Sequence, residues 1–262
     1  MTKAEILLDW FKDKVSVAVA FSGGVDSTVV AKAAFTVLGK NAIAVTARSS
    51  TISEKELDGA KRVAGEIGIE HVIIDEDEMD DPRFVKNPEN RCYYCRQGLV
   101  KAIRRLSGGR GIKHVIDGAN ADDPGEHRPG LLALREGGAL SPLMELGIGK
   151  SDVRTIAAVW GLSVSDKPSM ACLASRIPYG ELITKEKLVM VELAEDFLRN
   201  LGFDQLRVRN HGGIARIEIE SGEFDNVLKN RKKIAKKLKE LGFDYVTLDL
   251  QGYRSGSMDE VL

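Results

Sequence analysis

The chain has 262 residues, 43% of them hydrophobic, and 38 Lys and Arg against 39 Asp and Glu leave a formal net charge of −1. That size supports one large core or a main domain with a smaller companion, and the balanced charge excludes a global pull toward nucleic acid or a membrane surface. Three cysteines are an odd number, which argues against a disulfide framework and points to metal ligation or catalysis.

The opening Met1–Trp10 reads as an amphipathic helix with charges throughout, neither a signal peptide nor a membrane span, so a cytoplasmic protein is expected. Val15–Phe21 then reads as a parallel strand buried on both faces. It runs into Ser22-Gly23-Gly24-Val25-Asp26-Ser27 and a helix from Ser27 to about Leu38, with Ser27 as the candidate cap. Gly23 and Gly24 permit close backbone approach, and the helix N-terminus aims N–H groups at an anion. The hexapeptide lacks the Lys-Ser/Thr ending of a Walker loop. It resembles the pyrophosphate-binding loop of the N-type ATP pyrophosphatases, which implies cleavage of ATP to AMP and pyrophosphate with a substrate adenylated on the way. The alternative is a purely structural Gly-Gly turn.

Further strands are expected at 42–48, 70–75 and 113–118, with helices at about 53–67 and 92–106; Ser53 and Glu56 form a plausible capping box. This alternation predicts an α/β fold, a doubly wound parallel sheet that binds ligands at the carboxyl ends of its strands. Asp26, Ala47-Arg48-Ser49 and Asp117–Asp123 all fall there. Beyond about Pro178 the rhythm changes. A helix at 185–200 carries Val189, Leu193, Phe197 and Leu201 at four-residue spacing. Strands at 204–210 and 213–220, a helix from Glu223 to about Leu241 and a strand at 243–249 follow. This αββαβ order predicts a small α+β domain at 181–262 beside a main domain at 1–180. The helix carrying Lys229, Arg231, Lys232, Lys233, Lys236, Lys237 and Lys239 reads as a solvated face opposite Val227, Ile234, Leu238 and Leu241 rather than an RNA-binding surface. Gly252 to Leu262 reads as a loose tail.

Cys92 and Cys95 form a CxxC that opens a helix, where thiol pKa is lowered and metal or redox chemistry is favoured. Cys172 lies in Asp166–Gly180, too rich in Pro and Gly for a plain core helix. Zinc would need a fourth ligand from His71, His114, His127 or His211, and three unrelated reduced thiols remain the bland alternative.

Over nearly its whole length the chain resembles the LarE family of PP-loop sulfur transferases, which mature a nickel-pincer nucleotide cofactor. The matching segments are Ser22–Ser27, Arg91–Cys95, Asp117–Asp123, Ser141-Pro142-Leu143, Lys150–Arg154, the Cys172 segment and Leu206–Arg209. The resemblance implies ATP-dependent conversion of the carboxylates of pyridinium-3,5-biscarboxylic acid mononucleotide to thiocarboxylates. In one branch the cysteine matching Cys172 gives up its own sulfur and becomes dehydroalanine. The added Cys92 and Cys95 resemble the other branch, in which three thiolates hold a [4Fe-4S] cluster whose open iron carries an extra sulfide.

The resemblance assigns Ser22, Gly23, Gly24, Val25, Asp26 and Ser27 to the ATP phosphates, with Asp26 catalytic and a ligand of Mg²⁺. Ala47 and Ser49 border adenine, and Gly118 lies close to the nucleotide, where a side chain would crowd it. Asp122 and Asp123 are candidates for metal assistance or for an ordinary helix start. Ser175, Arg176, Arg207 and Arg209 are assigned to the anionic mononucleotide, which suits fork-shaped guanidinium donors; exposed surface arginines are the bland alternative. Arg207 and Arg209 alternate with Leu206 and Val208 and so share one face of a strand. Cys172 is the catalytic sulfur site, shared with Cys92 and Cys95 as iron ligands. A sulfide source and a homo-oligomer are the further partners implied. Competing functions are tRNA 2-thiolation, which the absence of a basic zinc-knuckle module disfavours, and ammonia-dependent amidation, which leaves the cysteines unexplained. A non-enzymatic ATP-binding module is possible on fold grounds.

Overall fold

The computed structural model describes residues 1–123, 129–168, 171–254 and 256–260. His127, one candidate zinc ligand, and Ser169 and Met170 of the Cys172 segment lie outside the described residues. In chain order the first elements are α1 (Lys3–Trp10), β1 (Val17–Ala20), α2 (Val25–Leu38), β2 (Ala42–Arg48), α3 (Glu54–Ile67), β3 (Glu70–Asp75) and α4 (Pro82–Val85). Next come α5 (Arg91–Arg110), β4 (His114–Ile116), α6 (Pro129–Glu136), α7 (Pro142–Glu145) and α8 (Lys150–Val159). The last are α9 (Lys185–Asn200), β5 (Leu206–His211), β6 (Ile214–Ile219), α10 (Phe224–Glu240) and β7 (Tyr245–Leu248). The chain divides into one unit of residues 1–78 and 90–170 and another of 79–89 and 171–262. No helix among the described residues is long and apolar enough to cross a membrane.

The first unit is built on a parallel sheet of order β3-β2-β1-β4. Val17 and Val19 pack with α1, α2 and α8 residues such as Leu7, Val29, Val30 and Val153, whereas Ala18 faces Ile103 of α5 with Ile43, Val45 and Val115. A strand of apolar residues sandwiched by helices is stable because both rows of side chains leave water, at roughly 1.5–3 kcal/mol for each fully buried large residue. The strand is shorter than the apolar run: Val15 lies outside it and is exposed. Because β2 and β3 lie on one side of β1 and β4 on the other, chain direction across the sheet reverses at β1. A crevice at the carboxyl ends is the geometric result.

The second unit holds the sheet β5-β6-β7, with β5 and β6 antiparallel and β6 and β7 parallel. The expected αββαβ order is present. The buried face of α9, however, is Leu188, Val191, Ala194 and Leu198, while Val189 and Leu193 are 51% and 46% exposed. Four-residue spacing drifts around a helix of 3.6 residues per turn, so the 188/191/194/198 set makes the better stripe. On α10, Val227, Ile234 and Leu238 are buried opposite the lysines, as expected of a solvated basic face. The described residues of 252–260 are not a loose tail. Met258 and Ser257 are buried, Ser257 Oγ donates to Glu218 at 2.7 Å, and Asp259 accepts from Tyr179 at 2.9 Å.

Two ion pairs are sealed inside this unit: Arg176 with Glu195, and Arg209 with Glu218, each at 2.8 Å. Burial works to raise the Glu195 carboxyl, but the Arg176 guanidinium outweighs it and holds the group below its ordinary value. Glu218 is likewise held low, with burial overcome by Arg209. Acids that ionise more readily when folded contribute stability above their ordinary value of 4.5, and lose it as pH falls through the lowered values. Urea midpoints, read by exchange of β5 and β6 amides, should therefore fall on acidification below that value. Glu195→Gln should flatten this slope and cost about 3–5 kcal/mol at neutral pH by leaving Arg176 without its counter-charge.

Candidate nucleotide and sulfur-transfer site

The loop after β1 folds on its own hydroxyls. Ser27 Oγ accepts the Ser22 N–H at 3.2 Å and donates to the Gly24 carbonyl at 3.2 Å, while Ser22 Oγ accepts the Gly24 N–H at 3.3 Å. Ser27 is thus the third residue of α2 and not its cap. The N-cap is Gly24, and no side chain caps it. A helix start without a side-chain acceptor, backed by fourteen residues of aligned peptide dipoles, favours an anion. Val25 is buried, so it has only its backbone to offer a phosphate. Gly23 takes φ +66°, and a Cβ there would stand 2.8 Å from the Ala60 Cα of α3. Both the conformation and the space demand glycine.

Gly118 follows β4 across the crevice. A Cβ on it would lie 2.9 Å from the Ser27 amide nitrogen and 3.1 Å from the Ser27 Cα. The lack of a side chain at Gly118 thus admits the first turn of α2. Asp117 beside it is buried and accepts the Ala119 N–H at 2.7 Å and the Ser141 hydroxyl at 2.8 Å. Burial pushes its carboxyl up despite those two bonds. Leu140 bridges to Ile116 at the β4 edge, which is how Ser141 reaches Asp117. Asp122 accepts the Lys150 N–H at 2.6 Å, and Asp123 accepts the Asn120 N–H at 3.0 Å. Asp122 thus reaches across to the start of α8, 28 residues on, while Asp123 closes its own turn.

Asp26 accepts from Asn120 Nδ2 at 3.1 Å and is paired with Lys150 Nζ at 2.5 Å. Lys167 reaches the same loop: its Nζ donates to the Gly23 carbonyl at 3.2 Å and to Glu56 at 3.0 Å. Arg154 holds the Ser165 and Lys167 carbonyls and so fixes the approach of that lysine. Residue-by-residue reading missed both lysines as site residues. One signal was available for Lys150, the first residue of α8, because a cation at a helix N-terminus opposes the macrodipole and needs a local reason to be there. Ala47 is paired with Ile74 near the end of β2, and Ser49 just beyond it bonds Thr51 at 3.2 Å. Thr51 in turn bonds Glu78, whose carboxylate lies 3.9 Å from Cys95 Sγ.

Cys92 and Cys95 sit in the first turns of α5, Cys92 exposed and Cys95 half-buried. Cys172 is exposed at the start of the short turn Leu173–Arg176 in the second unit. None of the three is in a disulfide, and thiols are a donor set suited in chemistry to a soft metal cluster. Among the described residues, no three His, Cys, Asp or Glu side chains are grouped around a metal-sized point.

The candidate arginines are not on the surface. Arg176, Arg207 and Arg209 are 1%, 5% and 5% exposed. Arg176 was expected to offer its fork to the substrate. It spends that fork on Glu195 and on the Ala171, Cys172 and Ser175 oxygens, at 2.7–3.0 Å. Arg209 is likewise engaged by Glu218, the Ser175 carbonyl and Ser257. Arg207 differs: its guanidinium donates to the Leu206 carbonyl at 2.7 Å and lies 5.3 Å from the Tyr253 ring centre. Burial lowers its pKa, Arg176 lowers it further, and Glu195 only partly compensates. A buried cation in that state favours an added anion.

The chain is similar to several known proteins. A family model described as asparagine synthase matches residues 10–98. Over its full length the chain is 44% identical to an uncharacterized protein of Synechocystis sp., spanning 98% of that protein. It is 38% identical to pyridinium-3,5-bisthiocarboxylic acid mononucleotide synthase of Lactiplantibacillus plantarum, again over the full chain and 95% of the relative. An uncharacterized protein of Methanocaldococcus jannaschii is 31% identical over 95% of the chain and 94% of its own length. Gly118→Ala should force α2 away from β4, lowering stability by about 1–3 kcal/mol and weakening ATP binding. Thermal unfolding and ATP titration of that variant measure both effects.

Proposed function

Because the chain belongs to the LarE family of PP-loop enzymes, which use ATP to transfer sulfur, we propose that its substrate is pyridinium-3,5-biscarboxylic acid mononucleotide and its product the bis-thiocarboxylate. The observation that carries the nucleotide half is the uncapped start of α2 with Asp26, Lys150 and Lys167 around it. A substrate carboxylate oxygen attacks the α-phosphorus of ATP, pyrophosphate leaves, and an acyl adenylate forms. The α2 N–H groups and the two lysines offset charge on the departing pyrophosphate, doing from afar what a Walker lysine does within its own loop. Asp26 would hold Mg²⁺ there, supplying further charge neutralisation once Lys150 gives up its carboxylate. A sulfur nucleophile then attacks the acyl carbon and AMP departs.

Arg207 is the residue we assign to an anionic group of the mononucleotide. Arg176, Arg209 and Ser175 position that site and the Cys172 loop through the bonds described above. For the sulfur source we favour Cys92, Cys95 and Cys172 as ligands of a [4Fe-4S] cluster, which when bound would provide a replaceable sulfide. Three cysteines outside any disulfide support this reading, and the CxxC favours it over sacrifice of Cys172 alone.

Products should be AMP and pyrophosphate, released only with the mononucleotide present; ADP and phosphate would overturn the PP-loop chemistry. Asp26→Ala should abolish pyrophosphate release while leaving the unfolding midpoint close to wild type, since this carboxylate is only partly buried. For the sulfur source, anaerobic protein should contain iron and sulfide that each single Cys→Ala change removes. With excess sulfide it should make more than one product per chain. If Cys172 instead loses the mass of hydrogen sulfide after one turnover while Cys92→Ala stays active, the sacrificial route is correct.

A further inference from the structure

The segment after β7 places an aromatic ring against Arg207 with unusual firmness. Gly252 adopts φ +73°, and a Cβ there would lie 2.8 Å from the Ile219 carbonyl, so the turn closes only around glycine. The Gly252 N–H donates to Asp249 at 3.0 Å, and the Tyr253 N–H donates to that same Ile219 carbonyl at 2.9 Å. These bonds anchor Tyr253 to the end of β6. Its ring then covers the Arg207 guanidinium at 5.3 Å. The side chain stays half-exposed, and its hydroxyl makes no hydrogen bond to another described residue. A tyrosine fixed by its backbone with its ring half-exposed is a preformed surface for a flat ligand.

We propose that Tyr253 is a substrate-contacting residue, the platform on which the pyridinium ring of the mononucleotide stacks. Arg207, held against the same tyrosine, takes an anionic group of that ligand, and the Tyr253 hydroxyl donates to a ring carboxylate. This rests on the substrate reading above and adds to it the residue that selects for a flat ring. A rigid aromatic contributes such selection at small entropic cost, because its backbone and its cation–π contact already fix it.

The test is calorimetric titration of the full-length protein with the pyridinium mononucleotide in the absence of ATP. Tyr253→Leu should weaken binding about tenfold or more, as for loss of a base-stacking aromatic, with ATP affinity unchanged. Tyr253→Phe should keep most of the affinity and lose a few-fold for the hydroxyl. Ring absorption of the ligand should decrease on binding to wild type and Tyr253→Phe, but not on binding to Tyr253→Leu. Should Tyr253→Leu fail to fold, that decrease on wild type and its strength in Tyr253→Phe still decide the matter, and its absence from wild type overturns the proposal. Arg207→Met separates the two ideas. Weakened binding there with unchanged binding in Tyr253→Leu removes Tyr253 alone, whereas unchanged binding in both removes the anion-site reading as well.

Discussion

The approach of Gly118 to the Ser27 backbone is the constraint on which the nucleotide side of this protein depends. It sits where the parallel sheet changes direction, between the end of β4 and the first turn of α2. A side chain at Gly118 would push the helix away, and the anion-attracting end of α2 would no longer face the crevice. Asp117 stiffens the same turn from inside by holding Ala119 and Ser141. That a carboxyl should be buried there at a cost to its ionisation indicates how tightly the turn is specified.

The second unit solves a different problem, the burial of three arginines in a small α+β fold. Glu195 and Glu218 neutralise Arg176 and Arg209, and Ser257 from the C-terminal segment joins Arg209 to Glu218. Positive charge remains in excess at Arg207. Self-contained ion pairs shape the Cys172 loop, and Arg207 alone of the three lacks a carboxylate bonded to its guanidinium among the described residues.

Much of this was legible in the sequence. The Ser22–Ser27 loop, the alternation of strands and helices and the αββαβ order carry local signals, in turn chemistry and periodicity, and the structure follows them closely. What stayed hidden was non-local. Nothing near Arg176 in the chain announces Glu195 nineteen residues on, and the pairing of Asp26 with Lys150 spans 124 positions. The loose tail was misread for the same reason, since its partners Glu218 and Tyr179 lie far upstream. The α9 stripe failed differently: Val189 and Leu193 are apolar at a helical spacing, yet tertiary packing chose the neighbouring face.

The brace that Arg176 places on the Ala171 and Cys172 carbonyls ties the loop by its main chain, and the Cys172 sulfur takes no part in it. Main chain and side chain are therefore separable at this position. A chain whose Cys172 had been chemically altered would keep its loop geometry and its surrounding ion pairs. Chemistry at that side chain and the fold of the loop around it are thus independent of each other.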